Sequence, residues 1–333
     1  MKFVLTGATG FLGANLLREL LKEGHQVSCI IRQPNDVIKG LDAQLHTLPL
    51  EDNPKSVNAL AKVLDGADGV FHLAGIFDPS PKGLDLMTQL HIFGTRALLR
   101  ATELAKVPKF VHCSSSITVG FGDKSNLGNE NTPLNPVQIY GAKGALRHYY
   151  NSKIQSEHLV LGWEGLHRVV VNPDYILGPY DVKPTSGQMI VTMAKHGIPV
   201  YPKGGKCFLG AEDCAKAHLA AMLKGRSGER YLLGYHNLSY QEFLNKVAKI
   251  VGKKSPLLPI PNLGTRILGN IGKVANQVDA HRFAGLDANV LKSMQEERYR
   301  SGAKMCEELG ISPQEIEVDI EKAYRWFCDN GYC

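Results

Sequence analysis

The chain has little that would commit it to an oxidising compartment, a metal or a membrane. Its seven cysteines, Cys29, Cys113, Cys207, Cys214, Cys306, Cys328 and Cys333, are odd in number and scattered, with no C-x-x-C pair. Such spacing suggests neither a disulfide framework nor a zinc site, so no metal is expected. No apolar run reaches the roughly 18 residues that a membrane span needs. The first residues read as a strand, not as a cationic leader with a cleavable apolar segment, and a cytoplasmic protein is expected. Basic blocks are missing too: a net charge of +6 is spread over 333 residues. That gives nucleic-acid binding little support and suits a phosphorylated cofactor equally well. With 44% hydrophobic and 21% charged residues, the rest is an ordinary globular composition, long enough for one large domain carrying a smaller one.

The first thirteen residues organise what is present. Phe3-Val4-Leu5 is an apolar run too short for a helix, and Ala14 to Lys22 places Leu16, Leu17, Leu20 and Leu21 at helical spacing. Gly7, Gly10 and Gly13 therefore occupy a strand-to-helix turn, where backbone N–H groups and the positive helix end point outward toward a phosphate. A side chain there would block both the tight turn and the approach of a diphosphate. The spacing is G-x-x-G-x-x-G, a variant of the common dinucleotide fingerprint.

Strand and helix signals then alternate, which predicts a doubly wound parallel sheet wrapped by helices. Strands are predicted at Gln26 to Ile31, Gln44 to Leu48, Gly69 to Ala74, Phe110 to Cys113 and Arg168 to Asn172. Helices are predicted at Ser56 to Leu64, Leu84 to Lys106 and Ala145 to Leu161. The second strand lacks a closing acidic residue, the group that would hold ribose hydroxyls of NAD; Arg32 stands there instead and fits a 2′-phosphate. NADP is accordingly expected, with NAD as the alternative. The polar loop Gly120 to Gln138 is long for a structureless connection. Beyond residue 180, turn-rich stretches at 178–187, 197–205 and 252–264 separate shorter helices such as Cys214 to Leu223, Tyr240 to Val251 and Asp319 to Cys328. The expected division is a dinucleotide-binding domain over 1–175 and a smaller, interleaved C-terminal substrate lobe over 176–333.

Tyr149 and Lys153 are four apart on a predicted helix and share a face. A lysine beside a phenol lowers the phenol's pKa and makes it a usable proton donor or acceptor. Ser116 ends the fifth strand, where it could hydrogen-bond a substrate oxygen. Twelve tyrosines make a lone Y-x-x-x-K pair a weak signal; its order after the phosphate turn, Arg32 and the strand-end serines is what carries it.

These residues resemble the extended short-chain dehydrogenase/reductases over nearly the whole length. Thr6-Gly7-Ala8-Thr9-Gly10-Phe11-Leu12-Gly13 is similar to their cofactor turn, His72-Leu73-Ala74-Gly75 to their fourth-strand signature, and Pro173 to Pro179 to the segment passing the nicotinamide. Ser116, Tyr149 and Lys153 match the catalytic serine, tyrosine and lysine. Lys304 to Ile311, Trp326-Phe327 and Gly331-Tyr332 resemble the dihydroflavonol-reductase-like branch. The resemblance implies a Rossmann-type fold whose cofactor contacts would include Gly7, Thr9, Gly10, Phe11, Leu12, Gly13, Arg32, Leu73, Ala74, Tyr149, Lys153 and Pro173. It implies an NADP-dependent oxidoreductase acting on a small carbonyl or alcohol substrate, with Phe77, Ile117, Tyr140 and Tyr175 as pocket candidates, and a homodimer. A nucleotide-sugar epimerase or dehydratase with tightly bound NAD is the runner-up, and a non-catalytic NADP-binding sensor the third reading. Three departures stand out: His91 where asparagine is usual, Pro49-Leu50-Glu51 in place of an acidic residue for the adenine, and Asn172 where arginine is frequent.

Overall fold

The computed structural model describes residues 1–261 and 288–333; the last three residues of the predicted turn stretch 252–264 lie outside that range. In chain order the first strands are β1 (Lys2–Thr6), β2 (Gln26–Ile31), β3 (Gln44–Thr47), β4 (Gly69–His72), β5 (Lys109–Cys113) and β6 (His167–Pro173). They are followed by β7 (Tyr175–Leu177), β8 (Val200–Tyr201), β9 (Gly205–Gly210), β10 (Arg230–Leu233), β11 (His236–Ser239), β12 (Leu258–Pro259) and β13 (Glu297–Arg298). The helices up to residue 251 are α1 (Phe11–Lys22), α2 (Pro54–Leu64), α3 (Pro81–Thr88), α4 (Thr95–Leu104), α5 (Pro136–Tyr140), α6 (Ala145–Leu161), α7 (Gln188–His196), α8 (Ala211–Lys224) and α9 (Tyr240–Val251).

Seven strands form one parallel sheet in the order β10-β6-β5-β4-β1-β2-β3, the expected doubly wound Rossmann-type architecture. Its central strands are buried on both faces, which is why they read as continuous apolar runs without alternation. On one face α1 and α8 pack together through Leu16, Leu17, Leu20, Cys214, Ala217 and Ala221. On the other, α2, α4 and α6 contribute Leu60, Leu64, Leu98, Ala101 and Val160. A smaller lobe is built on β9, flanked by β11, β13 and β7. Its core stacks Phe208 on Phe243 at 4.5 Å and takes Ile320 and Phe327 from the C-terminal helix Ile316–Asp329. The second half of the chain thus also feeds the first layer: α8 covers the main sheet and β10 closes its edge beside β6.

Several boundaries differ from the sequence reading. The first helix starts at Phe11, so Gly13 lies inside its first turn. The long helix expected over Leu84 to Lys106 is divided into α3, a π-helical turn at Gln89–Gly94, and α4. The Thr95 hydroxyl bonds the His91 carbonyl at 2.6 Å inside this irregular stretch, a wide turn of the kind that accompanies functional sites. The loop after residue 120 is pinned, because Gly122 and Gly128 bridge to Tyr299 and Arg300. No helix among the described residues is long and apolar enough to cross a membrane.

The C-terminal helix holds a carboxylate in an unusual setting. Asp319 is 2% exposed, with Oδ1 accepting from Gln314 at 2.6 Å and Oδ2 without a partner. Burial, and then the nearby Asp213 carboxylate, push its pKa from 3.8 to about 7. The folded value exceeds the unfolded one, so the stabilisation is full below pH 3.8 and is lost as the pH rises through 7. Asp319→Asn is expected to flatten the stability profile between those limits and to raise the melting temperature at pH 8 by roughly 2–6 °C. Thermal melts at pH 5 and pH 8 check it; an equal change at both values would remove Asp319 as the titrating group.

Candidate active site

The strand order reverses between β1 and β4, and the crevice at such a switch point receives the ligands of open α/β sheets. Gly7 follows β1 with φ +80°, and a Cβ on it would lie 2.6 Å from the Leu73 backbone. A Cβ on Gly13 would lie 2.0 Å from the Gly7 carbonyl oxygen. Only glycine allows α1 to start this close to β4. Gly10 is the N-cap and supplies no side-chain cap, so the leading N–H groups at Phe11, Leu12 and Gly13 are left for an anion. The Asn35 amide holds the Thr9 carbonyl at 2.9 Å. Arg32 is exposed at the end of β2 and has no partner among the described residues. A glycine cradle that a Cβ would fill, an uncapped helix start and a free guanidinium fit a phosphorylated dinucleotide.

Two directional hydrogen-bond chains fix the far wall of this crevice. The Ala74 N–H donates to Thr6 Oγ1 at 3.2 Å, and the Thr6 hydroxyl donates to His72 Nδ1 at 2.8 Å. His72 Nε2–H then reaches Thr95 Oγ1 at 2.9 Å. In the second chain the Ile76 N–H donates to His91 Nε2 at 3.1 Å, so the proton sits on Nδ1 and is given to Ser152 Oγ at 2.8 Å. Ser152 in turn donates to the Tyr149 carbonyl at 2.9 Å. Burial lowers His72 to about 3 and His91 to about 2, keeping both neutral so that each can accept on one nitrogen and donate from the other. His91, the departure from the family's asparagine, is therefore a connector. It ties the strand-end segment to the helix that carries Tyr149 and Lys153, and its ring meets Tyr149 edge-on at 5.7 Å.

Tyr149 and Lys153 share α6 as the spacing predicts. The Lys153 ammonium is buried, bonds the Cys113 carbonyl at 3.2 Å, and comes so near Gly75 that a Cβ there would be 3.2 Å away. One expectation is corrected. Lys153 does not bring the phenol down: burial lifts Tyr149 to about 12, and the opposing influence is a hydrogen bond with the Ser115 side chain. A phenol so shifted keeps its proton at neutral pH. Ser115 was not singled out by its sequence, since three consecutive serines offer no way to choose among them. Ser116 is its neighbour in the 3₁₀ turn Ser116–Thr118; it is buried, and its carbonyl is held by Arg300 at 3.0 Å.

Beneath this turn lies a buried polar network. Glu157 is fully buried one turn beyond Lys153 and accepts from Thr118 at 2.9 Å, Asn172 at 2.8 Å and Arg230 at 2.9 Å. Asn172 also donates to the Ser115 carbonyl at 3.2 Å. The cation missing at position 172 is supplied by Arg230 on the adjoining strand β10. Arg300 bonds the carbonyls of Ser116, Val119 and Gly120 and pairs with Asp174 at 2.5 Å. The Tyr149-Lys153-Glu157 spacing could have flagged the carboxylate, whereas nothing local marks Arg230 or Arg300.

The pocket candidates divide. Phe77 is 44% exposed and packs edge-on against Tyr149 at 5.4 Å. Ile117 is part of the serine turn, and its carbonyl accepts the buried Tyr140 hydroxyl at 3.0 Å. Tyr175 turns into the lobe, packing on Phe208 and donating to the Ser186 carbonyl at 3.3 Å. Pro173 ends β6, next to Leu233 on β10. No cluster of three or more potential metal ligands occurs among the described residues.

The family model for the NAD dependent epimerase/dehydratase family matches residues 3–234. A Synechocystis sp. protein named "Putative dihydroflavonol 4-reductase" is 28% identical, over 99% of this chain and 95% of that protein. Sterol demethylase protein B of Methylococcus capsulatus is 27% identical over 99% of both chains. Among solved structures, that of gox2253 superposes with a TM-score of 0.82 at 29% identity, covering 99% of this chain and 98% of the other. UDP-glucuronic acid 4-epimerase from Bacillus cereus, solved with UDP-glucuronic acid and NAD, has a TM-score of 0.73 at 20% identity over 99% of this chain and 100% of the other, a likeness of fold.

Proposed function

This chain belongs to the NAD dependent epimerase/dehydratase family, and from that premise we propose that it is a cytoplasmic NADP-dependent reductase of aldehydes or ketones, of the dihydroflavonol-reductase-like kind. The observation that carries the reading is Tyr149 on α6, in ring contact with Phe77 and His91, with the buried Lys153 ammonium one turn on beside Gly75.

The nicotinamide cofactor supplies the hydride when bound; the chain's own groups do the rest. The N–H groups opening α1 receive the diphosphate. Arg32, exposed and without a partner among the described residues, would take the 2′-phosphate as a planar fork. Lys153 spends one N–H on Cys113 and lies beside Gly75, with donors left over that would hold the ribose hydroxyls of the cofactor. Tyr149 gives its proton to the carbonyl oxygen as charge develops there, and a strand-end serine, Ser115 or Ser116, positions that oxygen. Burial favours the protonated phenol, so the reductive direction finds its acid already loaded. The same reading carries a homodimer through α4 and α6, where Leu104 is 56% exposed; light scattering giving a monomer mass would reject that part.

The test is mass spectrometry of the nucleotide that co-purifies, followed by dialysis. NADP(H) that leaves on dialysis is expected of an enzyme that discharges its cofactor each turnover. NAD retained through dialysis would transfer the assignment to a nucleotide-sugar epimerase or dehydratase. Arg32→Asp is expected to weaken NADPH binding about 10- to 100-fold and NADH binding far less, read by nicotinamide fluorescence titration. Equal losses for both would take the 2′-phosphate away from Arg32.

A further inference from the structure

The C-terminal helix Ile316–Asp329 is capped by Asn330 and followed by Gly331 in the left-handed region, at φ +77°. The Gly331 N–H reaches back to the Cys328 carbonyl at 3.1 Å and the Tyr332 N–H to the Phe327 carbonyl at 2.8 Å. This is the Schellman pattern, and its usual apolar contact is present: the Tyr332 and Phe327 rings meet at 5.5 Å. A chain turned back in this way lays the residue after Tyr332 over the last helical turn. The Sγ atoms of Cys328 and Cys333 stand 3.3 Å apart as a result. Cys328 is half-buried and Cys333 exposed, whereas Cys29, Cys113, Cys207 and Cys214 are buried out of a reagent's reach. A depression of about 460 Å³, lined by Ile250, Glu321, Tyr324 and Arg325, opens beside Cys328.

Two thiols in contact where solvent reaches them are suited to thiol–disulfide exchange. Burial, and then the hydrogen bond with Cys328, push Cys333 up to about 12, with Lys195 pulling the other way. Cys333 therefore holds its proton at neutral pH, and the opening attack falls to Cys328. Once Cys328 is bonded to another sulfur, its hydrogen bond and charge no longer keep that proton on Cys333.

We propose that Cys328 and Cys333 are a thiol–disulfide exchange site, closed into an intramolecular disulfide by a small-molecule disulfide. The Cys328 sulfur, giving up its proton, bonds one sulfur of the reagent and expels the other as a thiolate, which takes up a proton. Cys333 then bonds the Cys328 sulfur and expels the second thiolate, which takes the Cys333 proton. Two protein thiols are oxidised by two electrons, and the reagent disulfide is reduced to two thiols. The closed ring fastens the turn that carries Tyr332, whose hydroxyl donates to the Val182 carbonyl at 2.7 Å. Trp326, in the same helix end, packs edge-on against Tyr180 at 6.0 Å, and Arg18 of α1 lies over Tyr180 at 3.7 Å. The Pro179 carbonyl accepts from Asn15, also on α1, at 3.0 Å. One segment, Pro179 to Val182, thus joins the exchange site to the helix that follows the glycine turn. The proposal stands apart from the reductase reading.

The full chain is equilibrated with reduced and oxidised glutathione, quenched in acid, alkylated and digested with trypsin. Trp326 to Cys333 follows Arg325 and contains no lysine or arginine, so both sulfurs leave on one peptide. That peptide is expected to close internally and to take up no alkylating reagent. Its closing constant is expected to be about tenfold or more larger in the folded chain than in urea, where no turn holds the sulfurs together. Cys333→Ser is expected to keep a glutathione on Cys328, and Cys328→Ser to react about tenfold or more slowly. Hydrogen exchange at Gly331 and Tyr332 is expected to slow about tenfold in the oxidised chain. Glutathione adducts without ring closure, or equal closing constants in the folded and unfolded chain, would overturn the site. Faster reaction of Cys328→Ser than of Cys333→Ser would overturn the order of attack, and exchange at Tyr332 unchanged by oxidation would overturn the fastening of the turn.

Discussion

Tyr149→Phe is expected to bind NADPH as the wild-type chain does and to lose turnover by roughly 10³-fold, the middle of the range for removal of a positioned general acid. The ring stays, so its edge-on contacts with Phe77 and His91 survive, and only the proton donor is removed. Nicotinamide fluorescence reads the first half of this expectation and aldehyde-dependent NADPH oxidation the second. Retention of a tenth or more of wild-type kcat would dismiss the phenol from the mechanism. With the phenol lifted to about 12, the proton is present throughout neutral pH, and kcat for reduction is expected to be flat between about pH 6 and 9. A companion pair settles the serine. Ser115 is the hydroxyl that meets Tyr149, so Ser115→Ala is expected to lower kcat about 10²-fold and Ser116→Ala by less than about tenfold. The reverse order would return the role to Ser116.

The largest effect on stability is expected from Arg230→Leu. Glu157 is fully buried, and Arg230 is the basic side chain paired with it. Removing one partner leaves the other charge in a medium that solvates it poorly, at a typical cost of 3–5 kcal/mol. Arg230 is 25% exposed, so water screens part of the pair, and about 3 kcal/mol is the better figure. The midpoint of urea unfolding measures it. Because Glu157 also accepts from Thr118 and Asn172, which frame the serine turn, kcat should fall along with stability. Adding Glu157→Gln to Arg230→Leu removes the stranded charge and is expected to recover part of the loss. A double variant no more stable than the single one would show that the pair's electrostatics are not what Arg230 contributes.

The parts of this molecule that were legible in its sequence are those governed by near neighbours in the chain. The phosphate turn needs three glycines within seven residues, and the Tyr149–Lys153 face needs one helical turn. Both are written locally, and so is the run of buried parallel strands. The edge strand β10 was missed because four residues between turns give no period to read. The π turn at Gln89–Gly94 was hidden because its cause is tertiary: His91 must reach Ile76 and Ser152 together. Position 91 carries histidine where the family usually has asparagine. Its two ring nitrogens let one side chain serve both neighbours. Position 172 reads the same way, since the absent arginine reappears 58 residues later on an adjoining strand. Ser115 escaped notice because a triplet of serines does not say which hydroxyl the turn will present.

The clamp on the serine turn comes from residue 300. The glycines Gly7 to Gly13 and the Leu73 backbone they pack against lie within the first quarter of the chain. Arg230 and Arg300, which brace the serine turn and the network beneath it, belong to the last third. On the proposed reading, the residues of the cofactor turn precede in the chain those that brace the serine turn, and a protein shortened from its C-terminus is expected to lose turnover before it loses the cofactor.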